Sequence, residues 1–172
     1  MKLETLDDLF YEELRELYDE EGRLIEALPK MARGSASEKL RQAFEQHLGQ
    51  TREHVSRLER CFRELGKSPG GETVNAMKGL IQDGERAIDG IVQSPLRDAA
   101  LIGAAKRVEH FEMAAYAATI SYARLLGYQT IAELLEQTLR EEREADAKLT
   151  EIAESAVNQE ARQLGAHQEQ KR

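Results

Sequence analysis

The sequence lacks most of the residues on which β-rich and disulfide-stapled proteins depend. It contains no Trp, three Pro and a single Cys, and aromatic side chains make up 5% of its 172 residues. Cys61 cannot form an intramolecular disulfide and falls within a helical pattern, so we expect it to be a small core residue. No run alternates apolar and polar residues for long enough to predict a strand. The frequent Ala, Leu, Glu, Arg and Gln favour helix, and the sequence predicts one all-α domain.

Long apolar runs and an excess of positive charge are also missing. The longest apolar stretch, Met113 to Ala123, is interrupted by Thr119 and Ser121 and is too short to span a bilayer. The N-terminus is acidic and amphipathic, unlike a signal peptide. The formal net charge is −8 and the pI is near 5.2, which argues against general affinity for nucleic acid or anionic membranes. We therefore expect a cytoplasmic protein that binds neither nucleic acid nor membrane.

Four long stretches carry apolar residues at alternating steps of three and four, which predicts amphipathic helices. Gly34 ends the first and Gly127 ends the third, so the loop within each pair is short and each pair is expected to form an antiparallel hairpin. The patterns that mark the four helix starts are Thr5 with Asp8, Ser35 with Glu38, Ser94 before Pro95, and Thr130 with Glu133.

The connection between the second and third long helices is much longer. Gly66–Asn75 is the clearest break in the chain, and a weaker helix is predicted from about Thr73 to Val92. A connector of this length can travel the full height of a bundle, which lets the second and third long helices lie parallel. We predict a four-helix bundle with one long crossover that contains this shorter helix, packed outside the bundle. Residues 1–158 would form the bundle, and 159–172 a polar C-terminal tail that frays after Val157.

Acidic residues occupy positions on the apolar stripes that leucine would fill in a plain bundle. Buried carboxylates are unfavourable unless their charge is compensated, and a bound metal ion compensates a cluster that spans facing helices. Hard first-row cations suit carboxylate and imidazole ligands, so we predict a site for iron or manganese, with one ion or two. The candidate ligands are Glu21 on the first helix, His47 and His54 on the second, Glu109 and Glu112 on the third, and Glu142 and Asp146 on the fourth.

The predicted topology brings several of these positions to one height. Glu21, Gln50, Glu112 and Glu142 lie at nearly equal distances from the hairpin turns and therefore fall near the middle of the bundle. Independent surface acids would have no reason to meet there. The layout resembles that of ferritin-like and rubrerythrin-like di-iron bundles, in which carboxylates from separate helices converge.

Five segments resemble one family in particular, the YciF/YciE-type ferritin-like proteins associated with bacterial stress responses. The resemblance covers about residues 5 to 157 in the same order. It implies a ferritin-like bundle, which we expect to be a homodimer, with a dinuclear carboxylate centre. The segments are "ALPKMA" (27–32), "AFEQHLGQT" (43–51), "RDAALIGAAKRVEHFEMAAY" (97–116), "LGYQTIAELLEQTLREE" (126–142) and "ADAKLTEIA" (145–153).

The resemblance also assigns roles to residues. Glu21, Glu112 and Glu142 are the principal ligands, Glu109 is an alternate ligand, and Asp146 occupies the place of a histidine in the rubrerythrin pattern. This chain departs from the pattern on the second helix, where Gln50 or Thr51 stands in place of the expected Glu. One carboxylate fewer weakens a site built for iron oxidation, so two ions, one ion or none are all compatible with the sequence.

Other interpretations stay open at this stage. A single helical Glu such as Glu109, Glu141 or Glu144 is usually solvated, and a histidine more often forms a hydrogen bond than a metal bond. Arg107, Arg140 or Arg143 could instead pair with the interior acids. If the protein is an enzyme, peroxide or oxygen would oxidise the metal. The alternative function is a non-enzymatic bundle for dimerisation or partner binding, with a degenerate metal site.

Overall fold

Helices make up nearly all of the described chain. The structure, a computed structural model, describes residues 3–71 and 73–169, and it contains no β-strand within these ranges. No helix there offers an apolar segment sufficient to traverse a lipid bilayer. The elements are α1 (Leu6–Gly34), α2 (Glu38–Leu65), α3 (Asn75–Gly90), α4 (Pro95–Leu125), α5 (Gln129–Ile152), a π-helical turn (Ala153–Val157) and α6 (Asn158–Glu169). The predicted all-α class is confirmed.

The four long helices form two antiparallel pairs. In the first pair, Tyr18 contacts Glu59 while Glu21 contacts His54, so residue numbers rise along α1 as they fall along α2. In the second pair, Lys106 and Arg124 of α4 contact residues near the end and the beginning of α5, respectively. The two pairs pack with α1 against α4 and α2 against α5. This is the arrangement of a four-helix bundle.

The hydrophobic core is divided into two apolar clusters. The first contains the early residues of α2 and α4, including Leu40 and Leu101, together with the late residues of α1 and α5. The second contains the late residues of α2 and α4, including Leu58 and Ile120, together with the early residues of α1 and α5. Because α2 and α4 begin in the same cluster, they run parallel, as the crossover prediction requires. Between the clusters, each long helix contributes polar side chains at its middle.

The crossover helix α3 lies outside the bundle, against α1 and α4. Met77 is its fully buried anchor. At the other end of α3, Ile88 approaches Gly34 so closely that a Cβ at that position would lie 3.0 Å from Ile88 Cγ1. The absence of a side chain at Gly34 therefore lets the end of α1 contact α3. Because α3 packs on the outside of α1 and α4, the predicted position of the connector helix is confirmed.

Two of the four predicted helix starts are correct. Thr5 and Asp8 form a reciprocal capping box on α1, and Ser94 caps α4 just before Pro95. Gly127 adopts a φ of 80° in the turn between α4 and α5, a conformation that glycine accepts readily. The first and third predicted starts and the second hairpin turn are therefore confirmed.

The other two predicted starts are wrong. Ser37, not Ser35, caps α2, because the Asp98 carboxylate accepts hydrogen bonds from the amides of Ala36 and Ser37 and delays the start of the helix. Helix α5 begins at Gln129 without a side-chain cap, one residue before Thr130. The preceding Tyr128 is held by ring stacking on Phe10 at a centroid distance of 5.4 Å, so packing decides where this helix begins.

The end of the chain also differs from the prediction. The backbone continues from α5 through the π-helical turn into α6 as far as Glu169, so the expected fraying after Val157 is wrong for residues 158–169. Val157 is buried, and α6 packs on α4. No Pro interrupts this segment, and its Gln, Glu, Ala and Arg residues favour helix. Residues 170–172 of the predicted tail lie outside the described residues.

Candidate metal centre

A layer of buried polar side chains crosses the middle of the bundle between the two apolar clusters. No member of the layer is more than 5% exposed. The four helices converge there because each presents the inward-facing stripe of its apolar pattern at this height. The members are Glu20 and Glu21 from α1, His47 and His54 from α2, Glu109 and Glu112 from α4, and Glu142 from α5.

One end of the layer joins Glu21, His54 and Glu142. The Nδ1 atom of His54 lies 3.2 Å from both oxygens of Glu21 and 2.9 Å from Oε1 of Glu142. The Tyr116 hydroxyl donates to Glu21 Oε1 at 2.6 Å. The three groups offer ligand atoms that all lie within 4.8 Å of one another, close enough for one metal ion to bind them together.

The other end joins His47, Glu109 and the same Glu142. His47 Nε2 lies 3.4 Å from Glu109 Oε1 and 3.6 Å from Glu142 Oε2. This trio also offers atoms within 4.8 Å of one another. Glu142 therefore turns one oxygen toward each end, which is how a carboxylate is placed when it bridges two metal ions.

Much of the layer has no hydrogen-bond partner among the described residues. Neither carboxylate oxygen of Glu112 or Glu142 makes a hydrogen bond of acceptable geometry, and the same holds for His47 Nε2, Glu109 Oε2 and Glu20 Oε2. Each such buried group destabilises a fold by about 1–3 kcal/mol, and native proteins rarely accumulate several at one place. A cation coordinated by these atoms would satisfy them together.

The electrostatics of the layer indicate a deficit of positive charge. Burial raises the pKa of Glu109 and Glu112 well above the usual range, and the charges of Glu142 and Glu21 raise both further. Burial also raises the pKa of Glu21, although the opposing effect of His54 reduces the shift. Without an ion, protons must therefore neutralise part of the layer. Metal binding would replace those protons.

The histidine at the first end stabilises negative charge around it. Burial acts to lower the pKa of His54, but the Glu21 and Glu142 carboxylates outweigh it and raise the value to about 10. Burial likewise acts to raise the pKa of Glu142, but the imidazole of His54, 2.9 Å from Oε1, and the charge of His47 outweigh it and lower the pKa. Glu142 is thus the acid of the layer whose ionised form the protein favours, as a bridging ligand requires.

Two polar contacts orient the histidine rings. His54 Nε2 lies 2.9 Å from Glu141 Oε2, and Arg57 holds that carboxylate through two contacts of 2.7 and 2.9 Å. His47 Nδ1 lies 3.4 Å from Gln50 Oε1, which leaves Nε2 facing the layer. Partners of this kind fix the tautomer and orientation of histidine ligands. Gln50, which stands where a Glu was expected, thus supports His47.

The structure leaves one predicted ligand outside the layer. The Asp146 carboxylate lies 2.5 Å from Lys106 Nζ and 3.3 Å from His110 Nε2, and it belongs to neither trio. It is partly exposed, one turn of α5 beyond Glu142. Its charge is already compensated by Lys106. The place of Asp146 on the apolar stripe of α5 predicted a metal ligand. In the structure Lys106 of α4 pairs with its carboxylate outside the layer.

The arginines proposed as alternative partners of the acids do not reach the layer. Arg107 pairs with Asp83 at the surface, and Arg140 and Arg143 are exposed. Arg57 of α2 contacts Glu141, which is not a member of the layer. The interpretation in which these three arginines neutralise the interior acids has no support in the described residues.

Sequence reasoning missed two acids. Glu141 was expected to be solvated, but its carboxylate contacts His54. Its ion pair with Arg57 of α2 joins two distant segments, and no pattern in the sequence predicted it. Glu20 is 1% exposed, and burial together with the charge of Glu21 raises its pKa to about 8. Neither residue lies on the apolar stripe, so periodicity alone could not assign them to the centre.

The donor set fits a first-row transition metal. Carboxylates and imidazoles from four helices converge on one layer, unpartnered oxygens face the interior, and two trios share one carboxylate. Such ligands suit iron and manganese, and a shared carboxylate suits a dinuclear site. The fold and the layer together define a class of protein, a four-helix bundle with buried His and Glu groups at metal-binding distances.

Comparison with known proteins places the chain more narrowly. Residues 5–162 match the family described as a domain of unknown function, DUF892, and the chain belongs to this family. It is 39% identical over 162 residues to protein YciF of Escherichia coli strain K12, covering 94% of this chain and 98% of YciF. The expected resemblance to YciF-type proteins is confirmed.

Solved structures agree. The crystal structure of the E. coli stress protein YciF aligns with a TM-score of 0.87 and 39% identity, covering 91% of this chain and 99% of YciF. The YcfI protein of Rhodopseudomonas palustris aligns with a TM-score of 0.84 and 34% identity, covering 87% and 95% of the two chains. A Xanthomonas campestris protein at 23% identity and a TM-score of 0.70, covering 89% and 94%, shares the fold.

Proposed function

We propose that this protein binds two iron or manganese ions in the polar layer and uses them in protection against stress, with peroxide or oxygen as the oxidant. The observation that carries the proposal is the sharing of Glu142 between two trios of ligands. One ion would be held by Glu21, His54 and Glu142, and the second by His47, Glu109 and Glu142. Glu112, with both oxygens unpartnered, would complete the set.

The bound metal would supply the electrons. With iron bound, the centre would supply the two electrons that, together with two protons, reduce one peroxide to two waters, and both ions would change from Fe(II) to Fe(III). The protein residues hold the ions and manage protons around them. Tyr116 is placed to exchange a proton with Glu21 Oε1, with which it shares a 2.6 Å hydrogen bond. The apolar clusters cover the layer on both sides along the bundle axis.

The stress-related part of the proposal is supported by the E. coli relative, which is a stress protein. The proposal also includes a homodimer in the cytoplasm, without nucleic-acid or membrane partners. The acidic net charge of −8 supports the absence of a nucleic-acid partner. Light scattering after size-exclusion chromatography tests the dimer, because the measured mass would be twice that of the 19.4 kDa chain.

The test of the metal centre is a metal count on purified protein. The chain is purified without a metal-affinity tag, loaded anaerobically with Fe(II) or Mn(II), and analysed by mass spectrometry of the elements. We expect about two ions per chain. Glu142→Ala should lose both and Glu112→Ala should lose at least one, with the fold retained by circular dichroism. Glu133→Ala, at an exposed position on the same helix as Glu142, is the matched control and should bind as the unmodified protein does.

A different outcome would favour the non-enzymatic bundle. In that case the protein would take up neither metal after loading, and Glu112→Leu would raise its stability, because the substitution removes a buried acid whose two oxygens have no hydrogen-bond partner.

A further inference from the structure

A cleft between α2 and α5 leads from the surface to one end of the polar layer. Its volume is about 310 Å³, and His47 and Glu109 line its inner end. Ala43 from α2 and Ala145 from α5 lie on its two sides, where their small side chains leave the space open. A volume of this size corresponds to roughly ten water molecules. The cleft is therefore large enough to hold a small molecule.

The opposite end of the layer is closed. Glu21 and His54 are fully buried at 0% exposure, and neither lines the cleft. The His54 ring is covered on its outer side by Glu141, which Arg57 holds in place. The buried Tyr116 hydroxyl donates to Glu21 Oε1 at 2.6 Å. Among the described residues, this end is therefore more enclosed than the His47 and Glu109 end.

The two ends also differ in the atoms they leave unpartnered. His47 Nε2 and Glu109 Oε2, both at the cleft, make no hydrogen bond, whereas both oxygens of Glu21 are partnered. Metal sites that act on substrates keep a coordination position open, and structural metal sites are closed by protein ligands. The end of the layer at the cleft therefore resembles a metal site that acts on substrates.

We infer that the cleft between α2 and α5 is the entrance for a small exogenous ligand, of the class of peroxide or a small anion, to the His47 and Glu109 end of the layer. This inference rests on the proposed function and assigns unequal roles to the two ends. His47 and Glu109 would hold the ion that takes the exogenous ligand, and Glu21 and His54 would hold the enclosed ion. The mixed lining suits such a ligand, since Gln50 and Lys148 offer polar groups beside the apolar Phe44 and Leu149.

The test uses azide as the probe on protein loaded with Fe(III), and its readout is the absorption band that azide produces on binding iron. Ala145→Phe fills the cleft from α5 and Ala43→Phe fills it from α2. Both variants should retain about two ions per chain yet bind azide at least about tenfold more weakly or more slowly. Ala117→Phe, at an exposed position on α4 away from the cleft, is the matched control and should change neither value by more than about twofold.

The possible outcomes distinguish failure of the cleft inference from failure of the metal centre. Loaded variants that fold, keep both ions and bind azide as the unmodified protein does would overturn the cleft inference and leave the metal centre intact. An unmodified protein that takes up no metal would overturn both. If one Phe variant fails to fold, as judged by circular dichroism, the variant on the other wall of the cleft decides the result. Ala145→Leu gives a smaller plug and should show an intermediate loss of azide binding.

Discussion

The two ends of the polar layer contain similar residues and differ in what surrounds them. Each has one histidine from α2, one glutamate of its own and a share of Glu142. At the Glu21 end, Tyr116 and Glu141 supply partners from outside the trio. At the Glu109 end, the contact from outside the trio is that of Gln50 with His47, at 3.4 Å, and the cleft lies beside this end. The difference indicates that the surrounding contacts, more than the ligand types, decide which end is accessible.

The orientation of the two histidines explains the difference. His47 and His54 are about two turns apart on one helix, so both face the layer. His54 directs Nδ1 inward because Nε2 is bound to Glu141, whereas His47 directs Nε2 inward because Nδ1 faces Gln50. A charged carboxylate with an arginine behind it fixes a ring more firmly than a neutral amide at 3.4 Å does. We therefore expect the His54 end to be the more rigid one.

The largest contrast should come from removing each histidine in turn from the metal-free protein. His54→Gln leaves Glu21 and Glu141 without their imidazole, and we expect the free energy of unfolding to fall by about 3–5 kcal/mol, the usual effect of breaking a buried charged pair. His47→Gln removes a ring whose Nε2 has no hydrogen bond and should destabilise far less. Urea unfolding in the presence of a chelator measures both. Equal losses of stability would contradict the difference between the two ends.

Removing the outer support of His54 should affect metal binding at one end alone. Glu141→Gln weakens the contact with His54 and the pairing with Arg57, and losses of about 10–100-fold in affinity are typical for such partners. We expect one of the two ions to weaken by that factor and the other to bind as before. Competition with a chelating dye measures the two affinities. Glu133→Gln on the same helix serves as the control, and a uniform weakening of both ions would argue against separate ends.

The smallest effect is expected at Asp146. Asp146→Asn removes a partly exposed ion pair with Lys106, which should lower the free energy of unfolding by less than about 1 kcal/mol. The number of bound ions should not change, because Asp146 belongs to neither trio. A metal count together with thermal unfolding checks both statements. Loss of an ion in this variant would restore Asp146 as a ligand and remove the two-ended arrangement.

The sequence predicted the fold and most of the layer because both depend on periodicity. Helical stripes with short turns and one long connector allow few arrangements of four helices, and acids on the stripes have to face the interior. Glu21, Glu112 and Glu142 are all in the layer for this reason. The spacing of His47 and His54 likewise placed both rings on one face of α2.

The features that the sequence did not predict depend on contacts between distant segments. Lys106 of α4 draws Asp146 out of the centre, and Asp98 moves the start of α2 from Ser35 to Ser37. Glu141 lies off the stripe, and its role becomes visible only when His54 and Arg57 of α2 are placed beside it. The cleft depends on how two helices splay apart, and periodicity carries no information on that separation.

The most direct test of the shared carboxylate is anomalous X-ray diffraction from crystals of the protein loaded with Mn(II) or iron. The account predicts two peaks in the anomalous map about 3.5–4 Å apart, one beside each oxygen of Glu142, with His54 at one peak and His47 at the other. A single peak away from Glu142, or a metal-free layer in fully loaded crystals, would contradict it.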